Sequence, residues 1–500
     1  MDGSAARMIA ERLVEADDSA LSELFAERRL SPDAAPASHW RDFFDAAETL
    51  LQPDAVAAAL SALPRDDLAA LAAGSPLATL TLTDDDGRAL PGVVERLAGR
   101  GITPTPASTP DRADPVAAGH AAERTFTTLS ALSDIILAAM TAPLARVGTG
   151  AMSATERRRL VEQQIVQTPE EADVLVRFAA AVGLMRGHQR HIGTTQEGAR
   201  WVALSTPERW SWIADRLRSA LPAGLRSDGG WIDPALWAGA YPLDDDWPAK
   251  ARGWLEFARL IGLVADGERP TEPEWARALR EGADPDPSAL VALLPHEVDR
   301  VYLQNDLTAI SPGPLAPALD ARLRGMAVRE SHAQASGYRF TEASISRALS
   351  AGETAESMRE FLGELSLTGL PQPLDYLLER AAERHGLVRV SQDPSTGQTI
   401  VSSPDHDLLR TLAVDQSLGA LGFVADGALL RSRASRDTAY WALADARYPV
   451  VAIDDDGSVV SLDRRRIVPD AAEGPDYGPL IARLREGQGA DAEAAWLDRE

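Results

Sequence analysis

Four times in this chain a helical pattern ends in glycine and is followed at once by a short apolar run. The instances span Phe178 to Met185, Phe257 to Val264, Ala381 to Val388 and Ser417 to Val424, with Gly183, Gly262, Gly386 and Gly422 at the junctions. Glycine takes the left-handed conformation that closes a helix without a Cβ clash, so each junction predicts a helix end. Two copies continue as GLVADG (262–267) and GFVADG (422–427), where Ala-Asp-Gly reads as a hairpin turn. Helix, glycine, strand, turn and strand is the end of a winged-helix unit. The repeat therefore predicts an α+β chain, mainly α with small β wings, containing tandem winged-helix-like modules.

The first copy can be traced in full. Phe126 to Met140 predicts one helix, Ser153 to Ile165 a second and Thr168 to Val182 a third. Thr168-Pro169-Glu170-Glu171 supplies an N-cap, a first-turn proline and acids at the positive end of the helix dipole. Met185 to Thr194 is the expected wing. Further on, residues 298–310 alternate apolar and polar as a half-buried strand would, until Ser311-Pro312-Gly313-Pro314 breaks the pattern. A short strand at Tyr338-Arg339-Phe340 precedes helices capped by Thr341 and Thr354 and a third begun by Pro371. Residues 5–99 read as helix, and the Pro-, Thr- and Asp-rich stretch from Gly101 to Gly119 reads as a linker. The resulting segmentation is a helical segment (1–100), a linker (101–124), a winged-helix-like module (125–220), a Trp-rich second such module (221–285), a strand-and-three-helix domain (286–395) and a small α/β module (396–500).

Residue types exclude much of catalysis. There is no cysteine, hence no disulfide, thiolate nucleophile or cysteine-bound zinc. Lys250 is the only lysine, and no glycine loop precedes it, so the phosphate-cradling G-x-x-x-x-G-K-[ST] pattern is missing. The acidic triplets Asp84 to Asp86, Asp244 to Asp246 and Asp454 to Asp456 lead into no DExH motif; Gly87 and Gly457 suit tight turns, and calcium-loop spacing is absent. His188 and His191 stand three apart, a spacing expected to point them to opposite faces of a wing strand. No metal site, cofactor or catalytic residue is expected. No apolar run approaches a membrane span and the N-terminus has no signal-peptide pattern, so a cytoplasmic location is expected.

The net charge of −25 is unevenly spread: residues 125–220 carry a net +2, and only there does long-range repulsion from a polyphosphate relax. The candidate nucleic-acid contacts are Arg157, Arg158 and Arg159 on the second helix, and Arg186, His188, Arg190 and His191 on the wing. Guanidinium forks suit phosphate oxygens. Glu170, Glu171 and Asp173 open the third helix and argue against its entering a major groove. Eight tryptophans between Trp201 and Trp275 suggest core packing, an inter-module contact or an exposed binding surface.

The block from Val301 to Val390 carries YLQNDLTAISPGPLAP, YRFTEASISRALSAGETAESMREFL and LPQPLDYLLERAAERHGLVRV. In these motifs and their order it resembles the N-terminal domain of XPB-type helicases, also found in actinobacterial helicase-associated domain proteins. LSALPRDDLAAL near the start and the tail around Tyr448 to Gly457 are more loosely similar. The resemblance implies a domain that docks on partner subunits and helps position DNA, without a helicase motor. The same block also offers Arg339, Arg347, Arg380, Arg384 and Arg389 as candidate contacts, with pairing to neighbouring acids as the alternative. The function expected is a non-catalytic, helicase-associated protein that binds duplex or forked DNA without sequence specificity, or serves as an adaptor, beside an ATPase on another chain. The alternative is a protein–protein scaffold or a transcription or repair regulator that makes no DNA contact.

Overall fold

A computed structural model describes residues 3–332, 336–446, 448–454, 456–457, 459–460, 462, 467–469 and 475–488. Two compact units result, one from residues 1–125, 213–290 and 469–500, the other from 126–212 and 291–468.

The first unit opens with α1 (Gly3–Glu15), α2 (Asp18–Glu27), α3 (Phe43–Leu50), α4 (Pro53–Ser61), α5 (Arg65–Ala72) and α6 (Pro91–Leu97). Local chemistry starts them: Asp17 and Asp42 accept backbone N–H groups of α2 and α3, and Pro53 and Pro91 occupy first turns. Ile9, Leu13, Phe25, Phe43 and Phe44 share one apolar cluster. After β1 (Asp111–Arg112) comes α7 (Pro115–Thr141), within which the boundary between the units falls. The linker reading is thereby corrected at its C-terminal end. Asp114 accepts the N–H groups of Val116 and Ala117, and Pro115 supplies a helical φ at no hydrogen-bond cost, so the helix starts well before Phe126.

The second unit then adds β2 (Leu144–Ala145), α8 (Ala154–Glu162), α9 (Pro169–Ala181), β3 (Met185–His188), β4 (His191–Thr194) and α10 (Gln196–Trp201), with strand order β2-β4-β3, and α11 (Thr206–Ala220) crosses the boundary back into the first unit after Trp212. Thr168 caps α9 through the Glu171 N–H.

Back in the first unit follow β5 (Arg226–Ser227), β6 (Gly230–Trp231), α12 (Trp247–Leu260), β7 (Thr271–Glu272), α13 (Glu274–Arg280) and α14 (Ser288–Val291). The hairpin expected after Gly262 amounts to one bridge, Ala265 with Thr271. Pro270 has no N–H to extend a ladder, and β7 pairs in parallel with β1 instead. Of the eight clustered tryptophans, Trp201, Trp210, Trp231, Trp237, Trp247 and Trp275 are buried. The indoles of Trp201, Trp237, Trp247 and Trp275 donate to the carbonyls of Arg209, Ile232, Trp237 and Gly262. They are core residues with their single polar atom satisfied.

The second unit resumes with β8 (Tyr302–Leu303), β9 (Thr308–Ser311), α15 (Pro317–Met326), β10 (Val328–His332), β11 (Ser336–Arg339), α16 (Glu342–Ser350), α17 (Ala355–Leu365) and α18 (Gln372–Arg384). The single strand expected over 298–310 is a hairpin. Asp306 accepts from the Thr308 N–H and hydroxyl, and Leu307 is left-handed (φ 64°), so the alternating run folds back on itself. Thr341 and Thr354 make reciprocal capping boxes with Ser344 and Ser357. Then come β12 (Val388–Gln392), β13 (Thr399–Ser402), α19 (His406–Val414), β14 (Val424–Asp426), β15 (Leu429–Ser432), α20 (Arg436–Asp445), β16 (Val450–Ile453) and β17 (Val459–Val460). The six strands from β12 to β17 form one sheet, ordered β14-β15-β13-β12-β16-β17. Helix α21 (Gly478–Glu486) belongs to the first unit, where the Tyr477 ring packs on Phe25. Gly183, Gly262, Gly386 and Gly422 all take positive φ, between 58° and 83°. The fold is α+β. Among the described residues, no helix is long and apolar enough to cross a membrane. The acidic triplet at 454–456 extends outside the described residues at Asp455.

Candidate nucleic-acid interface

The glycine-ended helices lead into strands that are paired differently, and β14 after Gly422 is, like β3, an edge strand. After Gly386, β12 pairs with both β13 and β16, and β13 also pairs with β15, so this hairpin is embedded in the six-stranded sheet. Its tip is acidic: Asp393 accepts from Ser395 and from Arg431 at 2.8 Å, which together hold its carboxyl well below the usual carboxylate range. After Gly183 the hairpin is different. β3 is an edge strand, and the turn residues Gln189 and Arg190 are exposed, as are His188 and His191.

The basic end of that hairpin is assembled from three strands. Register places His188 directly across from His191, Arg186 across from Gly193 and Gly187 across from Ile192. The expectation that the two histidines face opposite ways is therefore corrected. The spacing of three includes a two-residue turn, and cross-strand partners share a face. Arg186 lies two residues from His188 and shares that face. No cluster of three or more metal-ligating side chains occurs among the described residues.

Beneath the opposite face runs Arg146, which the sequence reading missed. Its backbone N–H donates to the Arg190 carbonyl at 2.9 Å and its Nε to the Gln189 carbonyl at 2.8 Å. A Cβ on Gly187 would collide with the Arg146 guanidinium, so glycine there makes the room that this side chain occupies. The tertiary structure thus adds a fifth basic side chain to Arg186, His188, Arg190 and His191. Gln189 is held at φ 50°, a region that costs a non-glycine residue about 1–2 kcal/mol. Gln189→Gly should accordingly raise stability by about 0.5–1 kcal/mol in urea denaturation; an unchanged midpoint would mean that the turn carries no strain.

The helix arginines divide. Arg157 pairs with Asp173 at 2.7 Å and Arg159 with Glu156 at 2.7 Å, while Arg158 is exposed and makes no ion pair among the described residues. The acids at the start of α9 divide as well. Asp173 is engaged by Arg157, and Glu171 accepts the Gln167 N–H at 2.7 Å, which leaves Glu170 exposed. Arg177, one turn beyond Asp173, is exposed on the same helix and was also missed. In the 301–390 block, Arg339 pairs with Glu330 at 2.5 Å and Arg384 pairs with Glu342. Arg389 donates to the Gly386 carbonyl at 3.4 Å. Arg347 and Arg380 are exposed, with no ion pair among the described residues. The structure brings Arg186, His188, Arg190 and His191 together in one hairpin; the α8 arginines and the later arginines sit on other elements.

A buried ionic network holds the segment bearing the hairpin to the later block of the same unit. Asp134 on α7, 2% exposed, accepts from Arg324 on α15 and from Arg329 on β10 at 3.3 Å. Asp320 accepts a hydrogen bond from the Tyr338 hydroxyl at 2.5 Å and lies 3.5 Å from Arg324. Arg209 stacks over Trp201, 5.3 Å from the ring centroid, and burial lowers its guanidinium to about 10. Thr194 at the end of β4 donates to the Ile136 carbonyl of α7 at 3.1 Å, so the hairpin base is tied to the helix that carries Asp134.

Residues 301–425, about a quarter of the chain, match the family model described as helicase conserved C-terminal domain. The matched region runs from β8 into β14 and is thus helicase-related. It lies wholly after the basic hairpin in sequence. No curated protein matches the chain.

Proposed function

We propose that this chain is a non-catalytic, helicase-associated protein that contacts the backbone of duplex or forked DNA through the β3–β4 hairpin, with ATP hydrolysis supplied by another chain. The observation that carries the reading is the hairpin's composition. Three exposed basic side chains, His188, Arg190 and His191, stand together at one turn of an otherwise acidic molecule and make no ion pair among the described residues, with Arg146 bracing the turn from the opposite face. A local cluster of this kind suits phosphate oxygens, which position a protein on a duplex without specifying sequence. In this reading α7, α8, α9 and the β2-β4-β3 sheet form a winged-helix unit with an accessible wing. The 301–390 block is the counterpart of the accessory domain of XPB-type helicases. The match of residues 301–425 supports the helicase association. The missing phosphate loop, and the engagement of Lys250 with Asp244 at 2.7 Å, support a chain without its own motor.

Fluorescence anisotropy with duplex and forked DNA tests the reading. Binding should be measurable at about 50 mM salt and weaken steeply by about 200 mM. Replacing Arg186 and Arg190 together by alanine should flatten the slope of log affinity against log salt by roughly one to two units. A protein that binds neither DNA at the lower salt is a scaffold, not a DNA contact. Purified protein should also hydrolyse no ATP. Activity surviving Lys250→Ala and repeated purification would place a motor in this chain.

A further inference from the structure

We infer that the hairpin's target is the minor groove of duplex DNA, with Arg190 as the inserted cation, so that the protein favours A·T-rich duplex through groove shape. This rests on the nucleic-acid reading of the same hairpin and goes beyond it, because backbone contact alone predicts no preference among duplexes.

Arg190 occupies the second position of the two-residue turn between His188 and His191, at the apex of an edge hairpin. It is exposed and has no ion pair among the described residues. The backbone beneath it is fixed, because Arg146 holds the carbonyls of both turn residues through its N–H and Nε. A cation presented on a rigid apex loses little freedom when it enters a narrow site.

The other docking modes lack their residues here. From Arg186 to His191 the sequence is Arg-Gly-His-Gln-Arg-His, with no apolar side chain to wedge between base steps and no Phe, Tyr or Trp platform for single strands. Helix α9, the element that would otherwise enter a major groove, keeps Glu170 exposed near its start. Two strands lie about 4.8 Å apart and the minor groove is about 6 Å wide, so the backbone stays outside and one extended arginine fits within. A·T-rich tracts narrow that groove and deepen its negative potential, which is what a guanidinium reads without base-edge hydrogen bonds. On either side of Arg190, His188 and His191 share one face of the hairpin, which in the complex would meet the phosphates that line the groove.

The test compares affinities of the full chain for an A-tract duplex, a G·C duplex of equal length and a single strand at one salt concentration. The A-tract should bind roughly fivefold or more tightly than the G·C duplex, and netropsin, a minor-groove ligand, should displace it. Arg190→Ala should weaken both complexes and abolish the preference. Arg190→Lys, which keeps the charge with a more strongly hydrated head, should retain binding and narrow the preference; it also serves if the alanine variant misfolds. Equal affinities for the two duplexes, a preference that survives Arg190→Ala, or tightest binding to the single strand would overturn the minor-groove assignment and leave DNA binding standing. Absence of binding to every DNA would overturn both.

Discussion

Asp134→Ala should destabilise the second unit by about 3–5 kcal/mol, the cost of leaving buried charge uncompensated. Asp134 is 2% exposed and accepts from two arginines, one on α15 and one on β10. Removing it strands two largely buried guanidinium groups with Asp320, whose oxygens already serve Tyr338 and Arg324. Water cannot reach them as it reaches a surface pair, so the loss exceeds the roughly 0–1 kcal/mol typical of exposed bridges. Asp134→Asn keeps the shape and one acceptor oxygen and should cost less. Scanning calorimetry on both variants reads the effect as a fall in the melting temperature of the second unit. A shift worth under about 1 kcal/mol would mean that the network is solvated and does not hold α7 to the later block.

Gly198→Ala should be nearly as damaging, at about 3 kcal/mol, and should reach the hairpin. A Cβ at Gly198 would lie well inside van der Waals contact with the Leu184 carbonyl oxygen. Backbone cannot swing aside as a side chain can. The Leu184 carbonyl is also the acceptor for the Thr195 N–H at 3.1 Å, and the Thr195 hydroxyl caps α10 through the Gly198 N–H at 3.0 Å. Relieving the clash therefore disturbs both the start of β3 and the cap of α10. The expected outcome is a lower melting temperature together with faster amide exchange in 185–194. Unaltered exchange in that segment would show that the hairpin is anchored elsewhere.

Much of the local structure was legible because its causes are local. Left-handed glycines at 183, 262, 386 and 422 follow from the absence of a Cβ, and the caps at Thr168, Thr341 and Thr354 from hydroxyls three residues before the N–H groups they accept. Some signals of the same kind were passed over. Asp114-Pro115 starts α7 inside a stretch whose composition suggested a linker. Leu307 turns an alternating run into a hairpin through the Asp306 side chain, and Pro270 prevents one after Gly262.

The candidate site was legible in part. Arg186, His188, Arg190 and His191 were identifiable as wing residues, but their common face depends on a register that exists only once the two-residue turn is formed. Arg146 was invisible, because β2 is two residues long and its role depends on pairing with β4 beside a glycine on β3.

The sequence by itself determined where helices stop, which chemistries lack their residues and where positive charge is concentrated, since these depend on residue identity and near neighbours. Tertiary structure decided which of two similar hairpins is free. Strand pairing buries the one after Gly386 in a sheet and leaves the one after Gly183 at an edge. It also decided which charges remain available, because an arginine's pairing depends on the carboxylate that folding places beside it: Asp173 beside Arg157, Glu342 beside Arg384, and no carboxylate beside Arg190 among the described residues.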